Sequence, residues 1–161
     1  EGDLGAWIRE LKPFTILELQ DKKILFVHGG IPDQLSDAKT LDGFYWAFEE
    51  YVRQKTEKFG GTEQKYRIHD YVGECSVFWD RQLHRRTPEE LCTLADDLEV
   101  DFIVVGHTPH ESIVNYGNRV FDIDVGMTPM YGKNEPAAIV FRDNDVYAFY
   151  ATQGEQKLIN S

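Results

Sequence analysis

Two apolar segments, each ending in a histidine beside glycine, constrain the fold of this chain more than any other feature. One runs through Ile24–Gly30 and carries His28, and the other runs through Phe102–Pro109 and carries His107. Short apolar runs bounded by small residues are typical of buried strands, and the carboxyl ends of such strands are where α/β proteins bind metals and phosphates. If the two strands are neighbours, both imidazoles lie at one edge of a sheet.

The surrounding pattern predicts a chain that is α/β at first and rich in antiparallel strands at the end. Thr87–Glu90 is a capping box opening a helix before the second apolar segment, and this helix-to-strand order favours parallel pairing of the two histidine-bearing strands. Residues 62–76 show weak periodicity and are expected to form an irregular loop. The predicted elements are a helix over Leu4–Leu11, a hairpin of Phe14–Leu19 with Lys23–Val27, helices over about 38–59 and 87–98, a strand over Asp101–Val105 and a meander over Ser112–Ala151.

Length, charge and cysteine content exclude several classes of function. The 161 residues fit one domain, and a formal net charge of −11 argues against a nucleic-acid-binding surface and against an anionic membrane face. An acidic protein still binds phosphate where a metal or an arginine reverses the local field. The two cysteines, Cys75 and Cys92, favour a reducing compartment over a disulfide framework, so we expect a cytoplasmic location and no membrane partner.

Each of the two histidines has a functional and a structural interpretation. Neutral imidazole suits zinc, iron, manganese or nickel, so two convergent histidines provide half of a coordination sphere. The structural alternative is a core histidine that is hydrogen-bonded to a backbone carbonyl. Gly29 and Gly30 after His28, and Gly106 before His107, favour the functional interpretation, because they allow the backbone to come close to a ligand.

Three further residues are candidates on weaker grounds. Arg81 carries a planar guanidinium that matches two phosphate oxygens, and Asp80 beside it is either its surface partner or a local turn cap. Asp124 alternates with apolar residues and is either a group that holds a histidine ring or a solvent-facing strand residue. Three other histidines, in polar surroundings, are interpreted as surface residues: His69, His84 and His110.

The order and spacing of these motifs resemble the phosphoprotein phosphatase family of the calcineurin-like metallophosphoesterases, especially its bacterial, Shewanella-like members. The resemblance extends from about Leu4 to Tyr150. It implies an α/β fold in which two mixed β-sheets pack together with flanking helices, and residues 1–161 form the C-terminal portion of a single domain. The blocks that carry it are Trp7–Arg9, Phe26–Ile31, Phe78–Arg81, Val105–Pro109, Ile123–Met127 and Pro136–Ala138.

This resemblance also implies an activity and a set of roles. His28 and His107 match two ligands of one ion in a centre of two metals (manganese, iron or zinc), and Arg81 matches the arginine that contacts substrate phosphate. The implied reaction is hydrolysis of a phosphomonoester by metal-activated water, on serine and threonine phosphoproteins or on small phosphoesters. The residues expected to support the site closely are Gly29, Gly30, Gly106, Asp80 and Asp124.

Three other blocks of that family, Gly-Asp-x-His-Gly, Gly-Asp-x-x-Asp-Arg-Gly and Gly-Asn-His-Glu, do not occur in the sequence. They supply the other metal ligands and the general acid, so no catalytic residue is assigned in this segment. We therefore expect the chain to be the C-terminal half of an enzyme, inactive alone and binding at most one metal ion weakly. We also expect the strands that end at Val27 and Val105 to leave an uncovered sheet edge until the N-terminal half complements them. The alternatives are a dinucleoside-tetraphosphate hydrolase and a non-catalytic regulatory or binding module that kept the fold.

Overall fold

The computed structural model describes residues 3–56, 73–74, 76–132, 134–143 and 145–159. This part of the chain contains two β-sheets and three α-helices. The helices are α1 (Asp3–Arg9), α2 (Ala38–Thr56) and α3 (Pro88–Asp97), with short 3-10 turns at Asp33–Leu35, Leu83–Arg85 and Pro129–Tyr131. The strands are β1 (Phe14–Leu19), β2 (Lys22–Val27), β3 (Phe102–Val105), β4 (Val114–Tyr116), β5 (Val120–Asp122), β6 (Ala137–Arg142), β7 (Asp145–Tyr150) and β8 (Gly154–Ile159).

The first sheet is mixed and has the strand order β1-β2-β3-β5-β4. Its hairpin is confirmed: β1 pairs antiparallel with β2, and the turn residues Gln20 and Asp21 both have positive φ, as the twist of a tight hairpin requires. β2 pairs parallel with β3, with Leu25 opposite Ile103. The parallel pairing predicted for the two histidine-bearing strands is therefore confirmed.

The two histidine-bearing strands lie inside the sheet, so the expectation of an uncovered edge beside them is wrong. β1 covers β2, and β5 runs parallel to β3 on its other side, with Val104 opposite Phe121. Because β5 returns to the first sheet, it occupies the edge that a purely antiparallel meander would leave open. Within the described residues, β1 and β4 are the outer strands of this sheet.

The second sheet contains β6, β7 and β8 and is purely antiparallel, so the expectation of two mixed sheets holds for the first sheet alone. The predicted meander is thus divided between two sheets. Phe141 of β6 packs against Phe102 and Phe121 of the first sheet, with ring centroids 5.5 and 6.4 Å apart. The mixed α/β class is confirmed, and aromatic packing joins its two sheets.

The helices follow the predicted signals. The capping box of α3 is formed as expected: the Thr87 hydroxyl accepts from the backbone N–H of Glu90 at 3.3 Å, and the Glu90 carboxylate accepts from the Thr87 N–H at 2.7 Å. α2 is described as far as Thr56, so the predicted last turn of this helix and most of the loop over residues 62–76 lie outside the described residues.

The main apolar core packs one face of the first sheet against α2 and α3. Leu25, Ile103 and Val120 share this face on successive strands and are fully buried. Leu41 of α2 and Leu91 of α3 belong to the same cluster. The second sheet covers the opposite face, so the carboxyl ends of β2 and β3 emerge at one end of a layered structure. None of the described helices is long and apolar enough to cross a membrane.

Candidate functional site

His28 and His107 meet at the carboxyl ends of neighbouring parallel strands. β2 ends at Val27 and β3 at Val105, so each imidazole stands just beyond a buried strand. The ring centroids lie 4.9 Å apart, with the ring planes inclined at 57°. The N–H of Gly106 donates to the carbonyl of His28 at 2.9 Å, which ties the two strand ends together. The convergence that parallel pairing predicts is present in the structure.

The backbone at His107 adopts a conformation that non-glycine residues rarely occupy. Its φ is +69°, and the N–H of Thr108 donates to the carbonyl of Gly106 at 2.8 Å, closing a three-residue γ-turn around the histidine. Such a conformation costs an L-amino acid about 1–3 kcal/mol and persists only where surrounding contacts impose it. Strain of this kind concentrates at functional sites, and here it falls on the histidine itself.

Gly29 and Gly30 are required by packing within the protein. Both N–H groups donate to the carbonyl of Val77, at 2.7 and 3.3 Å. A Cβ on Gly29 would lie 2.8 Å from the carbonyl carbon of Phe78, and one on Gly30 would lie 2.6 Å from Oδ2 of Asp80. The close approach predicted for these glycines is therefore made by residues 77–80 of the chain. Apart from its two chain neighbours, a Cβ on Gly106 would meet nothing nearer than the carbonyl oxygen of His28 at 3.7 Å, so no comparable packing requires this glycine.

Arg81 and Trp79 border the histidine pair. Nη1 of Arg81 donates to Oγ1 of Thr108 at 3.2 Å, which places the exposed guanidinium beside the residue that follows His107. The indole of Trp79 stands perpendicular to the His107 ring, with centroids 4.9 Å apart. The structure thus brings the predicted phosphate-binding residue to the histidines, and it adds an aromatic side chain that the sequence analysis did not single out.

Asp80 acts as a local turn cap, the alternative left open by the sequence. Its side chain is buried, and Oδ2 accepts from the backbone N–H of Gln82 at 3.1 Å. Burial raises the pKa of this carboxyl, with the Gln82 hydrogen bond and the charge of Arg86 acting in the opposite direction. Its described role is to fix the turn that precedes Arg81.

Asp124 also forms a local turn, and its influence on the histidine is electrostatic. Oδ1 accepts from the N–H of Gly126 at 3.0 Å, and the backbone carbonyl accepts from the N–H of His110 at 2.8 Å. The negative charge of Asp124 raises the pKa of His107, but this is a minor influence beside burial, Arg81 and His28. Asp124 lies beyond the end of β5, and among the described contacts it makes no hydrogen bond to the imidazole of His107.

His110 is partly buried and belongs to a polar cluster, which its interpretation as a surface residue did not anticipate. Its Nε2 lies 3.3 Å from Oδ2 of Asp122 and 3.4 Å from the hydroxyl of Tyr116. Burial raises the pKa of Asp122 to about 6, while the Asp124 N–H and His110 lower it. The sequence signal near this cluster is the alternation of Asp122 with the apolar residues Phe121 and Ile123. In the structure Asp122 lies opposite Val114 of β4.

Positive groups gather at this end of a strongly acidic chain. His84 is exposed, as expected, and lies close enough to Arg85, His110 and Arg81 for their charges to lower its pKa, after burial as the main cause. His69 lies outside the described residues. Arg81 and Arg85 thus place two positive charges at this end of a chain whose formal net charge is −11.

The two histidines fit one part of a metal centre. Burial, then the charge of Arg81 and then that of His28, lowers the pKa of His107, so its imidazole is neutral at neutral pH and able to bind a metal. Its Nε2 is buried without a hydrogen-bond partner. Within the described residues, no group of three or more histidine, cysteine or acidic side chains forms a complete site. The residues present thus offer two nitrogen donors, and a stable centre needs more.

Comparison with known proteins establishes the fold. No protein-family model matches the sequence, and no curated protein matches it significantly. Two structures of a cold-active protein tyrosine phosphatase, one of them a point mutant, superpose with TM-scores of 0.70 and 0.69 at 21% identity, and one from a psychrophilic Shewanella species gives 0.69 at 20%. The matches cover 97% of this chain and 44–45% of the solved chains, so it spans less than half of their length.

Proposed function

We propose that this chain provides one half of the active site of a metal-dependent phosphatase that hydrolyses phosphomonoesters. The observation that carries the proposal is the meeting of His28, His107 and Arg81 at one end of the mixed sheet. Two imidazole nitrogen donors and a guanidinium are a set that binds a metal ion and a phosphate side by side. The fold shared with solved protein tyrosine phosphatases supports the same class of reaction.

In this proposal His28 and His107 are two ligands of one ion, and manganese, iron and zinc all suit imidazole. When bound, a pair of such ions would supply a lowered pKa for an attacking water and a neutralising charge for the phosphate oxygens. The contribution of this chain is to hold the two rings. The hydrogen bond between Gly106 and His28 joins the strand ends, and the γ-turn fixes the backbone of His107.

Arg81 is proposed as the phosphate-binding group. Its guanidinium is exposed and positioned by Thr108, which immediately follows His107, so a phosphate bound by the arginine lies beside the rings. A planar guanidinium binds two phosphate oxygens at once and neutralises charge that develops in the transition state. The buried Asp80 turn fixes the backbone from which Arg81 projects.

The other metal ligands and the general acid are proposed to come from a further segment of a longer protein. Large exposed apolar side chains on α1 and on the outer strand β1 support this, because a surface rich in such groups is often covered by another part of a protein. Leu4 and Trp7 are 68% and 57% exposed, and Leu17 on the outer strand β1 is 51% exposed. In the proposed arrangement the second half docks on this side.

The proposed substrates are phosphorylated proteins and small phosphoesters. The sequence resemblance favours phosphoserine and phosphothreonine, whereas the solved structures that match the fold are named as tyrosine phosphatases. Both are phosphomonoesters, and the geometry around Arg81 suits the phosphate they share.

Turnover of p-nitrophenyl phosphate with added Mn²⁺ tests the proposal. A longer protein that contains this chain, extended on its N-terminal side, should hydrolyse the ester, and the isolated chain should not. His28→Ala and His107→Ala should each abolish turnover in the longer protein, with Arg142→Ala on the second sheet as a control. An active isolated chain contradicts the need for a second half. An inactive longer protein that still binds phosphate favours the non-catalytic module instead.

A further inference from the structure

We propose that the indole of Trp79 forms an aryl-binding surface beside the phosphate position, so that the site prefers aryl phosphates to alkyl phosphates. This inference rests on the proposed function, because it assigns the group that carries the phosphate. Trp79 contacts His107 and lies two residues before Arg81 in the chain.

Trp79 is a large apolar side chain that remains accessible next to the imidazoles. Its exposed fraction is 51%, although its ring lies only 4.9 Å, centroid to centroid, from the ring of His107. The perpendicular contact with His107 supports one part of the indole and leaves about half of the side chain free. An aromatic surface in contact with His107, and two residues before Arg81 in the chain, is in reach of the group that a phosphate bound there carries.

The structure holds the backbone of Trp79 in place. The N–H of Trp79 donates to the carbonyl of Ser76 at 3.1 Å, and the same turn packs against Gly29 so closely that a Cβ there would stand 2.9 Å from the Trp79 nitrogen. His28 immediately precedes that glycine. The histidine loop and the tryptophan turn are therefore fixed relative to each other, and binding an aryl group costs little additional ordering.

The distance along the chain from Trp79 to Arg81 is short, and the intervening Asp80 is buried with its carboxylate bonded to Gln82. Arg81 reaches Thr108, and Trp79 reaches His107, so the guanidinium and the indole contact adjacent residues of one loop. A phosphate on Arg81 that is esterified to an aromatic ring places that ring within reach of the indole. An alkyl ester offers a group too small for comparable stacking.

Stacking of aromatic rings adds a contribution beyond the area that they bury. Applied to one ring on one indole, it predicts that phenyl phosphate binds about two- to tenfold more tightly than ethyl phosphate. Trp46 on α2 provides a matched comparison, since it is 67% exposed and contacts Tyr45 at 5.4 Å without any described contact to the histidines.

Titrations of the 161-residue chain, followed by the NMR signals of the tryptophan indole N–H groups, test the inference. The probes are inorganic phosphate, ethyl phosphate and phenyl phosphate. We expect phenyl phosphate to bind most tightly and to shift the Trp79 signal. Trp79→Ala should make the two esters equal, Trp79→Phe should keep part of the preference, and Trp46→Ala should leave it unchanged.

The outcomes separate the inference from the function on which it rests. If phosphate binds and Arg81→Ala weakens it, but the two esters bind wild type equally, the aryl preference alone is wrong. If Trp79→Ala weakens both esters by the same factor, the tryptophan supports His107 and does not select the ester. If inorganic phosphate does not bind, or binds equally well to Arg81→Ala, the proposed phosphate site and the inference are overturned together.

Discussion

The ring centroids of His28 and His107 lie 4.9 Å apart, so the two imidazoles meet where β2 and β3 end at one edge of the sheet. The contact exists because β2 and β3 pair in parallel and end at the same level, with Phe26 opposite Val104. Neither ring belongs to a complete metal site within the described residues. This arrangement makes the properties of each ring testable separately from turnover.

The first prediction concerns metal binding. Calorimetric titration of this chain with Zn²⁺ should show weak binding of at most one ion. His28→Ala and His107→Ala should each weaken it by at least about tenfold, because loss even of a residue that only supports a ligand costs that much. The exposed His84 serves as the control, and His84→Ala should leave the affinity unchanged. Equal affinity in all three variants would show that the ion binds elsewhere.

A second prediction concerns the backbone strain at His107. Because the φ of His107 is +69°, His107→Gly should be more stable than His107→Ala by about 0.5–1 kcal/mol in the free energy of unfolding. Denaturant unfolding measures the difference, with His107→Gly unfolding at the higher concentration. His110 has no positive φ, so the order of the same two substitutions there should be reversed. The reverse order at His107 itself would mean that the γ-turn does not constrain the folded chain.

The glycines provide a third prediction. Gly29→Ala should destabilise the fold by about 1–3 kcal/mol, because its Cβ would collide with the backbone of Phe78 and Trp79, which cannot easily move. Gly106→Ala meets only ordinary contacts and should cost little. Gly43→Ala in α2, with open space around it, should stabilise by about 1 kcal/mol through helix propensity. Urea unfolding of the three variants checks this ranking, and a harmless Gly29→Ala would contradict it.

A fourth prediction concerns pH. Burial raises the pKa of Asp122 to about 6, so the folded protein holds a proton that the unfolded chain releases near pH 4. Stability from this group is therefore present below about pH 4 and lost as pH rises to about 6. The groups that face Asp122 are His110, Tyr116 and Asp124.

Asp122→Asn should remove this pH dependence. The difference in free energy of unfolding, Asp122→Asn minus wild type, should increase by about 1–3 kcal/mol from pH 4 to pH 7. Thermal or urea denaturation at each pH measures it. Asp42→Asn, on the exposed side of α2, should track wild type across the range. A constant difference between Asp122→Asn and wild type would show that folding does not raise the pKa of this carboxyl.

The fifth prediction concerns Arg81. Arg81→Ala should weaken binding of inorganic phosphate several-fold, and Arg81→Lys should restore only part of the affinity because an ammonium group cannot bind two oxygens in one plane. ³¹P line broadening on addition of the chain measures the effect. Arg142→Ala, which removes an arginine paired with Glu155 on the second sheet, is the matched control. If both arginine variants behave alike, binding reflects general charge rather than a site.

Some features of the site were predictable from short stretches of sequence. The apolar runs before His28 and His107, the hairpin of β1 with β2 and the capping box at Thr87 depend on residues a few positions apart, and the structure forms them as predicted. Local periodicity and turn chemistry encode them because each is stabilised mainly by its own neighbours along the chain.

Other features depended on contacts between distant segments. The sequence did not indicate that β5 would pair with β3 instead of joining the final meander, nor that His110 would meet Asp122 and Tyr116. Gly29 was expected to approach a ligand, yet the backbone of Phe78 and Trp79 fills that space. The identities and strand-end positions of His28 and His107 were therefore determined by the sequence. Their 4.9 Å contact and the indole beside them were decided by tertiary packing, because burial and proximity depend on which segments share a sheet edge.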